Sequence, residues 1–200
     1  MTGPSCIPTL VRHLPLAQAA TTYAKEMHAG QTRFDGSPFI LHPLEVASAL
    51  RDAGAPDHLV AAGALHDLIE KTEVTASDLR QRFGPGITAL VLSVSDDDRI
   101  DGYVARKAAL RRQVASAGEE ALALFAADKL SKLRELRREA RVYAGDSVGA
   151  PQRPRARRLR HYQRSLALLE ERLPHSPLVC ELRDELQSIL QEYPTLVRAL

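Results

Sequence analysis

Tryptophan is absent from this chain, and aromatic residues make up only 4% of its 200 residues. Charge of one sign is not in excess either, because 27 Lys and Arg residues are balanced by 25 Asp and Glu residues, which gives a net charge of +2. A dedicated nucleic-acid-binding protein carries a surplus of positive charge that neutralises phosphates. We therefore expect no stable complex with nucleic acid.

Cysteine is scarce, and long apolar runs are missing. Cys6 and Cys180 form no CxxC or other metal-ligand spacing, so we interpret them as reduced thiols rather than a disulfide framework. No apolar run approaches the ~18–20 residues needed to cross a bilayer. The first residues lack the basic start and apolar stretch of a secretory signal. These features argue against membrane and disulfide-stapled classes and predict a cytoplasmic location.

Helix-forming residues dominate the composition. Ala, Leu and Arg are abundant, 44% of the residues are hydrophobic, and no alternating strand pattern or nucleotide-binding glycine motif is present. We predict an all-α, compact single domain of about eight helices. Pro4, Pro8 and Pro15 fall in residues 1–15, which we expect to be a flexible N-terminal segment, so that the domain covers 16–200.

Apolar spacing and helix-end signals place the predicted helices. They cover about residues 16–28, 43–53, 56–70, 87–94, 101–117, 119–139, 155–173 and 176–192. Thr75 and Asp78 resemble a capping box, which starts a further short helix before the break at Gly84-Pro85-Gly86. The middle of the 56–70 segment is apolar on nearly every side, which predicts a central, buried helix.

Two polar residues end that apolar helix. A buried His66–Asp67 pair is costly unless something satisfies it, and a divalent metal does so with imidazole and carboxylate ligands. Two ligands do not complete a site, and His42 and Asp128 are the best candidates for the others because each belongs to a short motif, LHP and AADKL. The alternative is a histidine that is simply packed in the core or faces solvent.

The HP, HDxxE and ADK elements, in this order and spacing, resemble the HD superfamily of metal-dependent phosphohydrolases. More closely, they resemble the hydrolase domain of RelA/SpoT proteins and the stand-alone small alarmone hydrolases. The matching stretches are HAGQTRFDGSPFILHP (28–43), AAGALHDLIEKT (61–72), the FG and following apolar helix (83–94), and FAADKLSKLREL (125–136). The resemblance spans about residues 16–192 and implies a helical HD-domain fold.

The resemblance also implies roles for individual residues. It makes His42, His66, Asp67 and Asp128 the metal ligands, and relatives of this type usually use manganese, although the donor set also suits iron, zinc or nickel. Glu70 matches the acid that orients or deprotonates the attacking water.

Two further residues match substrate contacts of the family. Arg33 matches an arginine that packs on a purine base, and Tyr162 falls near the substrate in relatives. The alternatives are a solvated loop arginine for Arg33 and ordinary helix packing for Tyr162.

Two positions depart from the family pattern. Lys71 stands where active relatives carry a second acid after the HDxxE glutamate, and Lys132 replaces an asparagine four residues after the last ligand. Lys71 either removes a partner in water activation, supplies charge for a phosphate, or points outward and pairs with Asp67 or Glu73. Lys132 follows Asp128 by one helical turn, so we expect it on the metal-facing side as a substrate-binding residue.

The expected function is hydrolysis of a purine nucleotide. The resemblance implies removal of the 3′-pyrophosphate from (p)ppGpp or a related alarmone. The alternatives are action on another nucleotide phosphate, with Lys71 and Lys132 changing specificity, or a catalytically weakened nucleotide-binding protein.

The C-terminal part adds two open interpretations. An arginine run over 153–164 is either a nucleic-acid patch or, as we prefer, a solvated face with some side chains directed toward substrate phosphates. The amphipathic C-terminal segment belongs to the core or to a subunit contact, so a homo-oligomer stays open.

Overall fold

A computed structural model describes residues 14–144 and 152–193, with side chains described for 14–141 and 156–193. The helices within these ranges are α1 (Pro15–Met27), α2 (Leu41–Asp52), α3 (Asp57–Leu65), α4 (Leu68–Lys71), α5 (Ala76–Val94), α6 (Tyr103–Ala117), α7 (Glu119–Ala144), α8 (Gln152–Arg172) and α9 (Pro177–Glu192). The only strand-like pairing in the described residues is an isolated bridge between Thr32 and Pro38. The all-α prediction is confirmed, whereas most of the predicted flexible segment, at 1–13, lies outside the described residues.

The centre of the domain is α3, as its apolar sequence predicts. Every residue from Leu59 to Leu65 is buried, and α1, α2, α5 and α7 pack around this helix. Gly63 allows α2 to come close, because a Cβ atom at this position would lie 2.7 Å from Leu50 Cδ1 and 3.3 Å from the Ala47 backbone. The absence of a side chain at Gly63 therefore sets the spacing between α2 and α3.

The predicted continuous helix over 56–70 is wrong, because the chain turns between α3 and α4 at His66 and Asp67. The His66 ring explains the interruption. Its Nδ1 donates to the carbonyl oxygen of Gly63 at 2.8 Å, and that oxygen is the group an unbroken helix would offer to the Asp67 amide. The two motif residues thus occupy the junction of two helices rather than one helical face.

Helix α5 contains both of the predicted end signals. Thr75 accepts from the Asp78 amide, and the Asp78 carboxylate accepts from the Thr75 amide at 2.8 Å, which is a complete capping box. Gly84 interrupts the helix with φ +82°, a conformation that favours glycine, and Pro85 follows in the next turn. The second half of α5 then leads to the Asp96 loop.

The C-terminal half is built on α7. This helix continues to Ala144, beyond the predicted end at 139, and packs against α2, α5, α6, α8 and α9. Its buried face includes Phe125, Leu130 and Leu133, which anchor it in the core. Within the described ranges, every helix is too short or too polar to cross a membrane.

Candidate metal centre

Four side chains from three parts of the fold meet in the core. His42 lies in the first turn of α2, His66 and Asp67 form the α3–α4 junction, and Asp128 lies on α7. Each is at most 3% exposed. The His42 and His66 Nε2 atoms are 3.2 Å apart, and His42 Nε2 lies 3.2 Å from Asp128 Oδ1 and 3.4 Å from Asp67 Oδ2. The structure therefore brings together all four predicted ligands.

The hydrogen bonds around the two imidazoles point their free nitrogens at each other. His66 Nδ1 donates to the Gly63 carbonyl, as described above. His42 Nδ1 donates to Ser131 Oγ at 2.8 Å, because the Ser131 hydroxyl itself donates to Glu45 Oε2 at 2.6 Å. Both Nε2 atoms are thus left as lone-pair donors in the neutral rings.

The carboxylate oxygens that face the imidazoles are buried as well. Asp67 Oδ2 has no hydrogen-bond partner, whereas Asp128 Oδ1 lies 2.8 Å from the Lys132 ammonium. Two ligands at right angles, each bound to a metal at about 2.1 Å, are about 3 Å apart, close to the spacings here. This His/Asp cluster suggests a divalent metal, since one cation would contact all four side chains.

The ionisation of the two carboxylates suits their proposed roles as ligands. Burial raises the pKa of Asp67, but the charges of His66 and Lys132 outweigh it and hold that pKa below its usual range. Burial also raises the pKa of Asp128, but the charges of Lys129 and Lys132 outweigh it, so this pKa lies well below its usual range. Burial lowers the pKa of His42, whereas for His66 the Asp67 and Asp128 carboxylates outweigh burial and raise the pKa. Both carboxylates are therefore ionised at neutral pH.

Glu70 stands beside the cluster in a cleft of about 290 Å³ that His42, Asp67 and Glu70 help to line. Its Oε1 accepts the backbone N–H of Asp96 at 2.7 Å, which fixes the carboxyl group. Burial is the main cause that raises the pKa of Glu70. The Lys132 charge lowers this pKa and the Asp67 charge raises it, so the pKa stays above its ordinary value. A carboxylate with a raised pKa is a stronger base than an ordinary surface glutamate.

Lys132 reaches the centre, as its spacing predicts. Its Nζ lies 2.8 Å from Asp128 Oδ1 and 3.9 Å from Asp67 Oδ1. Burial lowers the pKa of Lys132, but the Asp128, Asp67 and Glu70 charges outweigh it and raise the pKa well above normal. Lys132 is therefore a fixed positive charge against the oxygens that would hold a metal.

Lys71 and Tyr162 both line the cleft. Lys71 is exposed, and no ion pair joins it to Asp67 or Glu73 in the described part of the chain, so the alternative in which Lys71 pairs with one of these residues is wrong. Tyr162 is buried, and burial raises the pKa of its hydroxyl, so it stays protonated.

Arg33 does not line the cleft. Its side chain is only 3% exposed and Nη1 donates to Glu45 Oε1 at 3.1 Å, so the alternative of a solvated loop arginine is wrong. Its Nε and Nη2 have no hydrogen-bond partner. Stacking of Arg33 on a purine stays a prediction.

Several neighbours of the centre were missed from the sequence. Glu45 and Ser131 follow His42 and Asp128 by three residues, a helical spacing that could have marked them. Lys129 is buried with Nζ 2.5 Å from Asp128 Oδ2, and burial lowers its pKa to about 8. Asp96 also lines the cleft, and no local sequence signal pointed to it. Arg158 lines the cleft too, and it belongs to the arginine run from which we expected some side chains to face substrate phosphates.

A histidine–aspartate pair at the end of a buried helix, joined by a histidine and an aspartate from two other helices, defines a helical domain of the HD class. A family model described as the HD domain matches residues 20–147. The chain belongs to the HD domain family.

Named relatives are similar over parts of their length. A probable GTP pyrophosphokinase of Mycobacterium leprae is 30% identical over 191 residues, 93% of this chain and 23% of the relative. A guanosine-3′,5′-bis(diphosphate) 3′-pyrophosphohydrolase of Aquifex aeolicus is 31% identical over 127 residues, 62% of this chain and 18% of the relative. The chain thus spans a quarter or less of these relatives.

One solved structure matches nearly the whole chain. It is a metazoan ortholog of SpoT that hydrolyzes ppGpp and plays a role in starvation responses. The match has a TM-score of 0.72 at 23% identity and covers 96% of this chain and 98% of that chain. This likeness supports the fold assigned above.

Proposed function

We propose that this protein is a metal-dependent phosphohydrolase that removes the 3′-pyrophosphate from (p)ppGpp or a related purine nucleotide. The observation that carries the proposal is the convergence of two imidazole nitrogens and two carboxylate oxygens, all buried, beside a carboxyl group whose pKa burial raises. The relative from Aquifex aeolicus is named a guanosine-3′,5′-bis(diphosphate) 3′-pyrophosphohydrolase, which supports the choice of substrate.

In this proposal His42, His66, Asp67 and Asp128 hold the metal, with manganese as the preferred ion. A divalent cation supplies Lewis acidity toward a phosphoryl oxygen and toward the attacking water. Glu70 accepts the proton of that water, and its hydrogen bond from the Asp96 amide keeps the carboxyl group in place.

The positive side chains of the cleft would bind the phosphates. Lys129, Lys132 and Arg158 line it together with Tyr162, whose protonated hydroxyl is a hydrogen-bond donor. Charged hydrogen bonds of this kind are the strong ones and hold a polyphosphate in one orientation. A cytoplasmic location and a homo-oligomeric state stay predictions.

The test is release of phosphate and of pyrophosphate from a nucleotide panel with added Mn²⁺, Fe²⁺, Zn²⁺ or Ni²⁺. The panel contains ppGpp, its adenosine counterpart and nucleoside 2′- and 3′-monophosphates. We expect release from ppGpp, and loss of both metal binding and release in His66→Ala and Asp67→Ala. His58→Ala is the matched control, because His58 lies on α3, which ends just before His66, but pairs with Glu120 at the surface. Full activity and unchanged metal binding in both site variants would refute the assignment.

A second candidate, a nucleotide-binding protein with weakened turnover, is favoured by one observation. The Lys132 ammonium occupies the side of Asp128 that a metal would use. In that case the protein binds nucleotide and metal but releases neither phosphate nor pyrophosphate from any member of the panel.

A further inference from the structure

A second cavity, of about 290 Å³, lies between α6 and α8. Residues at helical spacing on the two facing helices line it, namely Tyr103, Val104, Lys107 and Arg111 on α6, and Arg157, Arg160, His161 and Arg164 on α8. Five of these eight side chains are cationic, and none of the described lining residues is acidic. We call this the basic cavity.

The cationic side chains crowd one another. Burial lowers the pKa of Arg111, and the neighbouring Arg164 guanidinium lowers it further. The Arg157 guanidinium lies over the Tyr103 ring, 4.3 Å from its centroid, which holds that planar group at the cavity. Lys107 pairs with the Asp96 carboxylate, but like charges gathered as closely as those of Arg111 and Arg164 are destabilising unless an anion compensates them.

His161 supplies a donor that has no acceptor. Its side chain is buried, and its Nδ1 accepts a hydrogen bond from Arg111 Nη1 at 2.9 Å, because a guanidinium can only donate. Burial, together with Lys129 and Lys107, lowers the pKa of His161 to about 2, so the ring is neutral and its proton sits on Nε2. That Nε2–H has no hydrogen-bond partner, although a buried N–H is costly when unpaired.

The basic cavity adjoins the metal cleft. Tyr103, Lys107 and His161 line both spaces. A molecule that carries phosphate groups at two ends can therefore reach both, with one end at the metal ligands and the other among the arginines.

We propose that the basic cavity is an oligophosphate-binding site, and that in the reaction it takes the 5′-diphosphate of the nucleotide while the 3′-pyrophosphate lies at the metal ligands. The second part rests on the proposed function. Planar guanidinium groups and a neutral N–H donor are suited to phosphate oxygens. A free oligophosphate offers the same phosphate oxygens as the 5′-diphosphate of the nucleotide. The test therefore has two arms that distinguish these two ligands.

The first arm measures binding without metal. Inorganic tripolyphosphate is titrated, with a chelator present, into the wild type and into the Arg111→Gln/Arg164→Gln double variant. Loss of two charged hydrogen-bond donors should raise the Kd by about ten- to hundredfold. The matched control is Arg134→Gln/Arg183→Gln, since these arginines pair with Glu181 and Glu170 away from the cavity. An unchanged Kd in the cavity variant overturns the site.

The second arm measures kinetics with ppGpp and with guanosine 3′-diphosphate, which lacks 5′-phosphates. We expect the cavity variant to raise the KM for ppGpp by about tenfold or more, with a much smaller change for guanosine 3′-diphosphate. Equal effects on both substrates, or no effect on the KM for ppGpp, overturn the assignment to the substrate's own 5′-diphosphate.

Two points keep the result interpretable. Arg164 is exposed, so Arg164→Gln alone replaces the double variant if half-buried Arg111 proves necessary for folding. If the protein releases pyrophosphate from no nucleotide, the proposed function fails, but the tripolyphosphate titration still decides whether the basic cavity binds oligophosphate.

Discussion

His42 donates through Nδ1 to the hydroxyl of Ser131, a residue 89 positions further along the chain, at 2.8 Å. The Ser131 hydroxyl in turn donates a hydrogen bond to one carboxylate oxygen of Glu45, and the other oxygen accepts a hydrogen bond from Arg33. Burial raises the pKa of Glu45, but the hydrogen bonds from Ser131 and Arg33 outweigh it and lower the pKa below normal. An ionised carboxylate thus holds one proposed ligand through a serine.

We predict that Ser131→Ala weakens metal binding by ~10–100-fold, because such supporting hydrogen bonds orient a ligating histidine. Calorimetric titration of Mn²⁺ into the purified protein measures the change. Ser48→Ala is the control, since Ser48 lies on α2 with His42 but contacts Asp52 at the surface. Equal affinities of Ser131→Ala and wild type would show that the serine does not support the ligand.

Lys132→Asn should have the opposite effect and strengthen metal binding by about tenfold or more. The substitution removes a positive charge 2.8 Å from Asp128 Oδ1, and that charge repels an incoming cation. The same titration applies, with the exposed Lys25→Asn on α1 as control. Weaker binding in Lys132→Asn would mean that the ammonium stabilises the centre instead of competing with the metal.

Glu70→Gln should lower kcat for pyrophosphate release by ~10²–10⁴-fold and leave the Mn²⁺ affinity close to that of the wild type. The amide cannot accept a proton, yet it keeps an oxygen for the Asp96 amide. Parallel turnover and metal titrations separate the two properties. A proportional loss of metal affinity would place Glu70 among the ligands and remove its role as the base.

Lys71→Asp should raise kcat for ppGpp at least about tenfold if Lys71 stands in place of a water-activating acid. The side chain is exposed and lines the cleft, so the change is tolerable for folding. Lys71→Gln is the matched variant that removes the charge without adding an acid. A gain shared by both variants would assign the effect to lost positive charge, and no gain in either would exclude Lys71 from the chemistry.

The sequence was sufficient for the helices and for the grouping of the four proposed ligands. Apolar spacing and end signals act locally, so α1, α6 and α9 lie within about two residues of their predicted limits. The interruption at His66–Asp67 could not be predicted. It depends on a histidine ring that donates to the Gly63 carbonyl oxygen, which in an unbroken helix would accept from a backbone amide.

Contacts between residues that are far apart in the chain also could not be predicted from the sequence. The Ser131 contact joins α7 to α2, and the basic cavity exists only where stripes on α6 and α8 face each other. Neither feature can be recognised from the sequence of one helix. Each arginine of the 157–164 run could equally well be interpreted as a solvated surface residue. Arg33 shows the same difficulty, because its loop sequence gave no sign of burial.

Gly63 links the geometry of the proposed metal ligands to the close packing of α2 against α3. Its carbonyl oxygen orients one imidazole, while its missing methyl group allows the neighbouring helix to bring the other imidazole within reach. A Cβ atom there would press on the Leu50 side chain and the Ala47 backbone, both on the helix that carries His42. The chelating geometry is thus inherited from core packing, and a substitution that touches no substrate could still disable the protein.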